Sequence, residues 1–335
     1  LIYRHFFNNG VLTAQGAADL YANRVDQVYQ ALVGESARWG DTRRSDPHTR
    51  DEWYATQIKK LEGFFPSRSS QVLGWLKSAG LYPNNLDAPL FQVKGVLSQG
   101  GQIDDDPVVI AGYANSVYYA TDGSDPRLPG GAINPTTTLY TSPLTLPHST
   151  HLKSRQYRGN NWSAIQEAVF AVGPVADHLR ITEIMYHPED AGHAYDPNTE
   201  FIELQNIGQE AISLNLVRFT DGISFTFPAI GLGPKATVLV VRDIPAFEAK
   251  YGPGLPVAGQ YEGALSNKGE SLKLVDAVDQ VIHDFKYDDK WHKSTDGTGF
   301  SLVVTWPAES DPTQWGDQNL WGPSRVKGGS PGVQD

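Results

Sequence analysis

The chain has 335 residues, 40% hydrophobic and 19% charged, with 33 Gly and 22 Pro; this composition excludes a disordered chain and predicts two or three turn-rich domains. Its 27 basic and 38 acidic residues leave a formal charge of -11, a field that repels phosphate backbones and anionic lipid and argues against a nucleic-acid partner. Cysteine is absent, which excludes disulfides, thiolate metal sites and a cysteine nucleophile, and no apolar run reaches the roughly 20 residues that cross a bilayer.

The sequence opens at Leu1, and LIYRHFFNNG lacks the basic head, apolar middle and small-residue cleavage site of a signal peptide, so a preceding segment is expected. Thr13 predicts the cap of a helix whose apolar positions Leu20, Val25, Val28 and Leu32 recur near a 3.6 period, with Gly34 as its stop. A capping box from Thr49 to Glu52 starts a second helix that carries Trp53, Ile58, Leu61 and Phe65 towards Pro66. A third runs from Pro66 through Val72 and Leu76 to Gly80, where a left-handed glycine followed by Leu81 suits a helix end. Three helices with the polar connection GDTRRSDPHTR make a thin core, so they are expected to pack on the next module or on a missing element.

RHFFNNGVLT, GESARWGDTRR, TRDEWYATQIKKLEGFFPSR and VLGWLKSAGLYP resemble the C-terminal end of the CotH (spore-coat protein H) kinase-like domain over about the first 80 residues. The resemblance implies a kinase-like relative whose nucleotide and metal residues lie upstream. The chain itself shows no Gly-rich phosphate loop, HRD-like loop or DFG-like aspartate.

From Ala88 the texture changes to strands parted by turn clusters: VVIAGY, SVYYATDGSDPR, TTLYTSPLTL, HLKSRQYR and EAVFAV. Strand and turn alternate often enough for a small sandwich. Asp122-Gly123 ends a strand and Asp125-Pro126 forces the chain out of the sheet. Their carboxylates are oxygen donors of the kind calcium takes, but aspartates that accept hydrogen bonds from their own turn are the better reading of Asp122 and Asp125. The acidic run Asp104 to Asp106 reads as a solvated loop. DGSDPR, the pair Gly130-Gly131 and the closing WSAxxEAxF pattern resemble the fibronectin type III-associated or chitobiase C-terminal module, which implies a non-catalytic companion domain.

LRITEIMYHP predicts a strand with Leu179, Ile181, Glu183 and Met185 on one face and Arg180, Thr182 and Ile184 on the other. EFIELQNIG, RFTDGISFTFP, ATVLVVR, ESLKLVDA, QVIHDFKY and GFSLVVT follow, each ended by Gly, Pro or Asp, and together argue for a second sandwich. Ile244 to Tyr251 predicts one helix, with Pro245 in its first turn and Gly252 as its stop. In order, TEIMYHP, EFIELQNIG, DGISFTFP, GALSNKGESLKLVDA, DGTGFSLV and GGSPG resemble a lamin tail domain over residues 179–332. That family implies an Ig-like architectural or interaction module, and fold analogy supplies no ligand.

His178, His187 and His193 lie near Glu183, Glu189, Asp190 and Asp196, but their spacing matches no zinc motif and the segment leaves a strand for a loop, so no metal or cofactor is expected. No GxSxG elbow is present, and paired carboxylates for glycoside chemistry cannot be judged from spacing. Among the tryptophans, Trp162 reads as core and Trp306 as one more aromatic face. Trp291, Trp315 and Trp321 lie among polar, turn-forming residues and are expected to be partly exposed, as flat faces for glycan contact.

The sequence therefore predicts a mainly β protein with an α-helical N-terminal segment and two Ig-like β-sandwich domains, divided as 1–87, 88–176 and 177–335. No catalytic residue is expected in it. The predicted role is that of non-catalytic interaction or architectural modules of a larger secreted or cell-surface bacterial protein. The partners expected are other domains of the same protein, polysaccharide or cell-envelope material, with no nucleic acid and no membrane span. The alternative is an accessory C-terminal part of a kinase-like enzyme whose phosphoryl-transfer residues lie upstream.

Overall fold

The computed structural model describes residues 2–8, 10–42, 44–104 and 106–333. Asp105, the middle of the acidic run, lies outside the described residues, and its neighbour Asp106 pairs with Lys94 at 2.8 Å. The chain opens with five helices: α1 (Ile2–Phe6), α2 (Ala14–Tyr29), α3 (Ala31–Trp39), α4 (Arg50–Gly63) and α5 (Phe65–Ser78). Thr13 caps α2 by accepting the N–H of Gly16, and Thr49 caps α4 by accepting that of Glu52. The reciprocal half of the box is not made, because Arg44 donates to the Glu52 carboxylate instead.

Gly34 is not a stop. The first helix breaks at Gln30, and Gly34 sits inside α3 with ordinary helical backbone. A glycine ends a helix by adopting the left-handed conformation, and Gly80 does so after α5 at φ +70. There the N–H of Gly80 bonds Lys77 and that of Leu81 bonds Leu76, closing the last turn. The helices bury little: Val25 and Gln57 are the buried residues of α2 to α5. Trp39, Phe64 and Trp75 are each at least half exposed. The segment meets the next module through a small cluster of Tyr3, Tyr82, Ala88 and Ala164.

The first sandwich contains β1 (Leu90–Val93), β2 (Val96–Leu97), β3 (Gly101–Ile103), β4 (Val108–Ala111), β5 (Val117–Ala120), β6 (Thr138–Leu139), β7 (Thr150–Arg158), β8 (Asn161–Trp162) and β9 (Gln166–Val172). One sheet runs β2-β1-β4 and the other β3-β9-β7-β5-β6, with β8 folded back on β7. Along β7 alternate residues are buried, the period-two signature of a half-covered strand. Phe91 and Phe170 meet edge-on at 5.8 Å across the core. The expected strand TTLYTSPLTL shrinks to β6 and a bridge at Leu144, because Pro143 has no N–H to give a ladder.

The second sandwich follows a one-turn helix, α6 (Val175–His178), whose Val175 already enters the second core. Its six-stranded sheet runs β17-β16-β11-β10-β20-β21, that is Val257–Gln260, Thr237–Val241, Phe201–Asn206, Leu179–Met185, Leu302–Val304 and Trp321–Pro323. The facing sheet runs β14-β13-β18-β19, that is Phe225–Thr226, Arg218–Asp221, Ser271–Val275 and Val281–Lys286. A short pair, β12 (Ile212–Ser213) with β15 (Gly231–Leu232), flanks them. Helix α7 (Ile244–Tyr251) forms over the expected residues, capped by Asp243.

Every residue of β10 and β11 is buried, because this sheet is covered on both faces. Its inner face joins the main core. Its outer face carries Met185, Phe201, Leu239 and Val241 under Phe247 of α7. The predicted alternation of β10 is corrected by a bulge: Ile181 pairs with Leu204 and Glu183 with Glu203, leaving Thr182 extra. An added residue shifts which side chains share a face. Leu179, Ile181, Ile184 and Tyr186 therefore enter the main core, and Met185 joins the outer cluster.

Candidate functional site

The bulge sets the chemistry around three residues that the sequence leaves in separate segments. Ile181 N–H donates to Nε2 of His283 at 3.2 Å, and its carbonyl accepts the indole N–H of Trp315 at 3.0 Å. Burial pushes the His283 imidazole down to about 3, with the Arg180 charge acting in the same direction, so the ring is neutral. The indole of Trp321 then donates to the Trp315 carbonyl at 2.8 Å and stacks on Phe285.

This arrangement corrects the expected glycan faces. Trp315 is 0% and Trp321 3% exposed, and Trp291 is half-buried against Trp321. Asp311 and Asp317, the polar residues around them, cap two 3-10 turns that carry the indoles inward. Polar neighbours thus reported the turns and not the rings. Trp162, expected in the core, is half-buried at the surface instead, and Trp306 is 64% exposed.

Asp122 accepts the N–H of Ser124, and Asp125 that of Arg127, each at 2.9 Å. Asp125 also receives Arg155 through Nε at 2.7 Å and Nη2 at 2.8 Å. Burial raises the Asp125 carboxyl, but Arg155 and the Arg127 N–H outweigh it and hold it below the usual carboxylate range. Both aspartates accept from their own turns, and Asp125 adds an ion pair with Arg155.

The histidines do not converge. His187 pairs with Asp296 at 2.6 Å, His193 with Asp196 at 3.3 Å, and His178 is near Gly208. Among the described residues no group of three His, Asp or Glu could hold a metal ion. The one imidazole–hydroxyl contact among them, His148 to Thr150 at 3.5 Å, involves a hydroxyl that donates to the His148 carbonyl at 2.7 Å.

A carboxylate pair does form, and sequence spacing gave no sign of it. Glu183 and Glu203 face each other across β10 and β11, both buried. Glu183 accepts the N–H and hydroxyl of Ser330 and the hydroxyl of Ser301; Glu203 accepts the N–H of Gly332 at 2.7 Å. The space beside them is about 40 Å³, room for about one water and not for a sugar ring. The pair therefore anchors the closing GGSPG segment. Gly329 is needed there: it holds φ +76, and a Cβ would sit 2.2 Å from Glu183 Oε1. Gly329→Ala is expected to cost about 1–3 kcal/mol and to expose residues 326–333 to protease, as read by limited proteolysis.

Open grooves of about 530 and 460 Å³ hold no tryptophan, whereas two of about 670 Å³ each hold one. The first of these two lies between the α5 exit and the first sandwich, lined by Asn84, Asn85, Arg127, Tyr157, Asn161 and Trp162 among others. Here the Trp162 indole donates to the Gly131 carbonyl at 2.7 Å, the Tyr157 hydroxyl donates to Asn160 at 3.1 Å, and the two rings are 4.6 Å apart. The second groove lies on the second sandwich under Trp306, with Gln205, Thr305, Glu309 and Arg325. Sequence reading missed the first because its walls come from segments some 30 to 80 residues apart.

The family model of the Lamin Tail Domain matches residues 174–289, and that of the Fn3 associated family matches residues 111–170. Both regions are Ig-like modules of a non-catalytic kind. The lamin-tail match stops before β20 and β21, although both strands extend the same sheet. Among solved structures, a DUF4876 family protein from Bacteroides thetaiotaomicron VPI-5482 is similar at 11% identity and a TM-score of 0.25, over 56% of this chain and 81% of that one. No curated protein matches the chain.

Proposed function

We propose that this chain is a non-catalytic interaction protein, working outside the cell or on its surface, whose sandwiches present grooves to polysaccharide or cell-envelope material. One observation carries this reading: the two grooves of about 670 Å³ each hold a tryptophan among amide and guanidinium groups. A sugar ring has an apolar face and a rim of hydroxyls, so it uses an aromatic plane and nearby hydrogen-bonding groups together. The carboxylate pair is occupied by the chain's own closing segment, which supports binding over hydrolysis.

Affinity electrophoresis against a polysaccharide panel tests this. Retardation by at least one polysaccharide is expected, weakened severalfold by Trp162→Ala or Trp306→Ala and unchanged by Trp291→Ala. Release of reducing ends by the isolated chain, or mobility unaltered by every polysaccharide and envelope preparation, would contradict it.

A second reading is favoured by the apolar surface the helices leave at least half exposed: Phe64 and Trp75, which share the guanidinium of Arg68, and Trp39, beside that of Arg38. Patches of this kind mark contact surfaces, and a kinase-like domain is the partner implied by the CotH resemblance. Where the gene encodes a kinase-like domain beside this chain, nucleotide binding by the full product, with these residues protected in hydrogen exchange, is the result expected from it.

A further inference from the structure

We propose that the groove beside Trp162 takes an anionic saccharide, a uronate or sulfated sugar, with Arg127 reading the anion; this rests on the glycan-binding reading above and names its ligand class. The charged residues lining this groove are Arg127 and Arg155, and no Asp or Glu lines it. In a chain of net charge -11, a concave surface lined by arginine and free of acid runs against the average. The charge elsewhere is screened beyond about 8–10 Å at ordinary salt, so the groove's own residues decide contact.

The two arginines have different roles. Arg155 is committed: Nε and Nη2 hold Asp125, and Nη1 donates to the Ser163 carbonyl at 2.7 Å. The backbone of Arg127 is fixed, since its N–H bonds Asp125. Its side chain is exposed, and its guanidinium has no hydrogen bond or ion pair among the described residues. A planar guanidinium matches a carboxylate or sulfate through two parallel N–H···O bonds. Gly131, at φ +96 beside that guanidinium, is the residue whose carbonyl pins Trp162. One Gly-Gly turn therefore places the free cation and the aromatic plane together.

The rings are also held before any ligand arrives. Trp162 is fixed to Gly131, and Tyr157 to Asn160, whose own backbone sits at φ 63. Side chains already ordered lose little freedom on binding. A sugar ring laid on Trp162 would set its anionic substituent towards Arg127 and its hydroxyls towards the Asn84 and Asn161 amides.

Calorimetric titration of the full chain with paired oligosaccharides tests this: oligogalacturonate against its methyl ester, and a sulfated galactan oligosaccharide against the unsulfated one. At least one acidic member is expected to bind roughly tenfold or more tighter than its neutral pair, and the pair that shows it identifies carboxylate or sulfate as the anion. Arg127→Gln should remove that preference, bringing the acidic member to the affinity of its neutral pair, and Trp162→Ala should weaken both. Equal binding of acidic and neutral members overturns the inference while the glycan reading stands. Acidic preference that survives Arg127→Gln places the anion elsewhere and overturns it too. No binding of any probe by protein with an intact near-ultraviolet dichroism spectrum overturns the inference, and the premise falls with it only where the whole polysaccharide panel also leaves the chain's mobility unaltered.

Discussion

Trp315→Ala is expected to destabilise the second sandwich by about 3–5 kcal/mol, the range for removing a large buried aromatic. Three losses coincide at this site. A fully buried indole leaves a cavity, the Ile181 carbonyl loses its donor, and the His283 ring loses the face it packs on at 4.5 Å. Trp321, hydrogen-bonded to the Trp315 carbonyl, would shift with it. Urea denaturation followed by near-ultraviolet dichroism reads the loss. The exposed Trp306→Ala should stay within about 0.5 kcal/mol of wild type. A loss below about 1 kcal/mol for Trp315→Ala would show that the ring is not part of the core.

Acidification should weaken the same module through His283. Its folded value of about 3 lies below the ordinary 6.5, so between those limits the unfolded chain binds more protons than the folded one. Stability is therefore full above about pH 6.5 and falls as pH drops towards 3, by on the order of 1 kcal/mol per pH unit. Glu200 acts oppositely: burial raises its carboxyl despite the Leu265 N–H, Arg242 and Tyr261, so its contribution is lost as pH rises. His283→Phe separates the two. It should cost about 1–3 kcal/mol near pH 7 by leaving the Ile181 N–H without its acceptor, and it should flatten the decline between pH 6.5 and 4. Denaturation curves whose pH slopes run parallel in the two proteins would contradict this account.

Much of the architecture is legible in the sequence because it is written locally. Strand alternation, the Asp-Gly and Asp-Pro turns, the Thr13 and Thr49 caps and the Pro245 to Gly252 helix each depend on residues within a few positions. What escaped is decided by distant partners. The Thr182 bulge is visible only once β10 is paired with β11, and it changes which residues of LRITEIM share a face. The bonds of the closing segment to Glu183 and Glu203 span 147 and 129 positions. Trp315 and Trp321 look exposed by their neighbours, yet the partners that bury them, Ile181 and Phe285, lie elsewhere in the chain. The groove escaped for the same reason: Asn84, Arg127 and Trp162 are united by the packing of a helix exit against a sheet.

Hydrogen exchange of the full chain, with and without the polysaccharide that retards it most, tests the central claim most directly. Protection confined to residues 80–86, 127–131 and 157–163, or to 303–309 and 322–325, with the polymer recovered at its original length, is the predicted result. Protection falling outside both grooves, or a shortened polymer, would show that the grooves are not the contact surface or that the chain is not a passive binder.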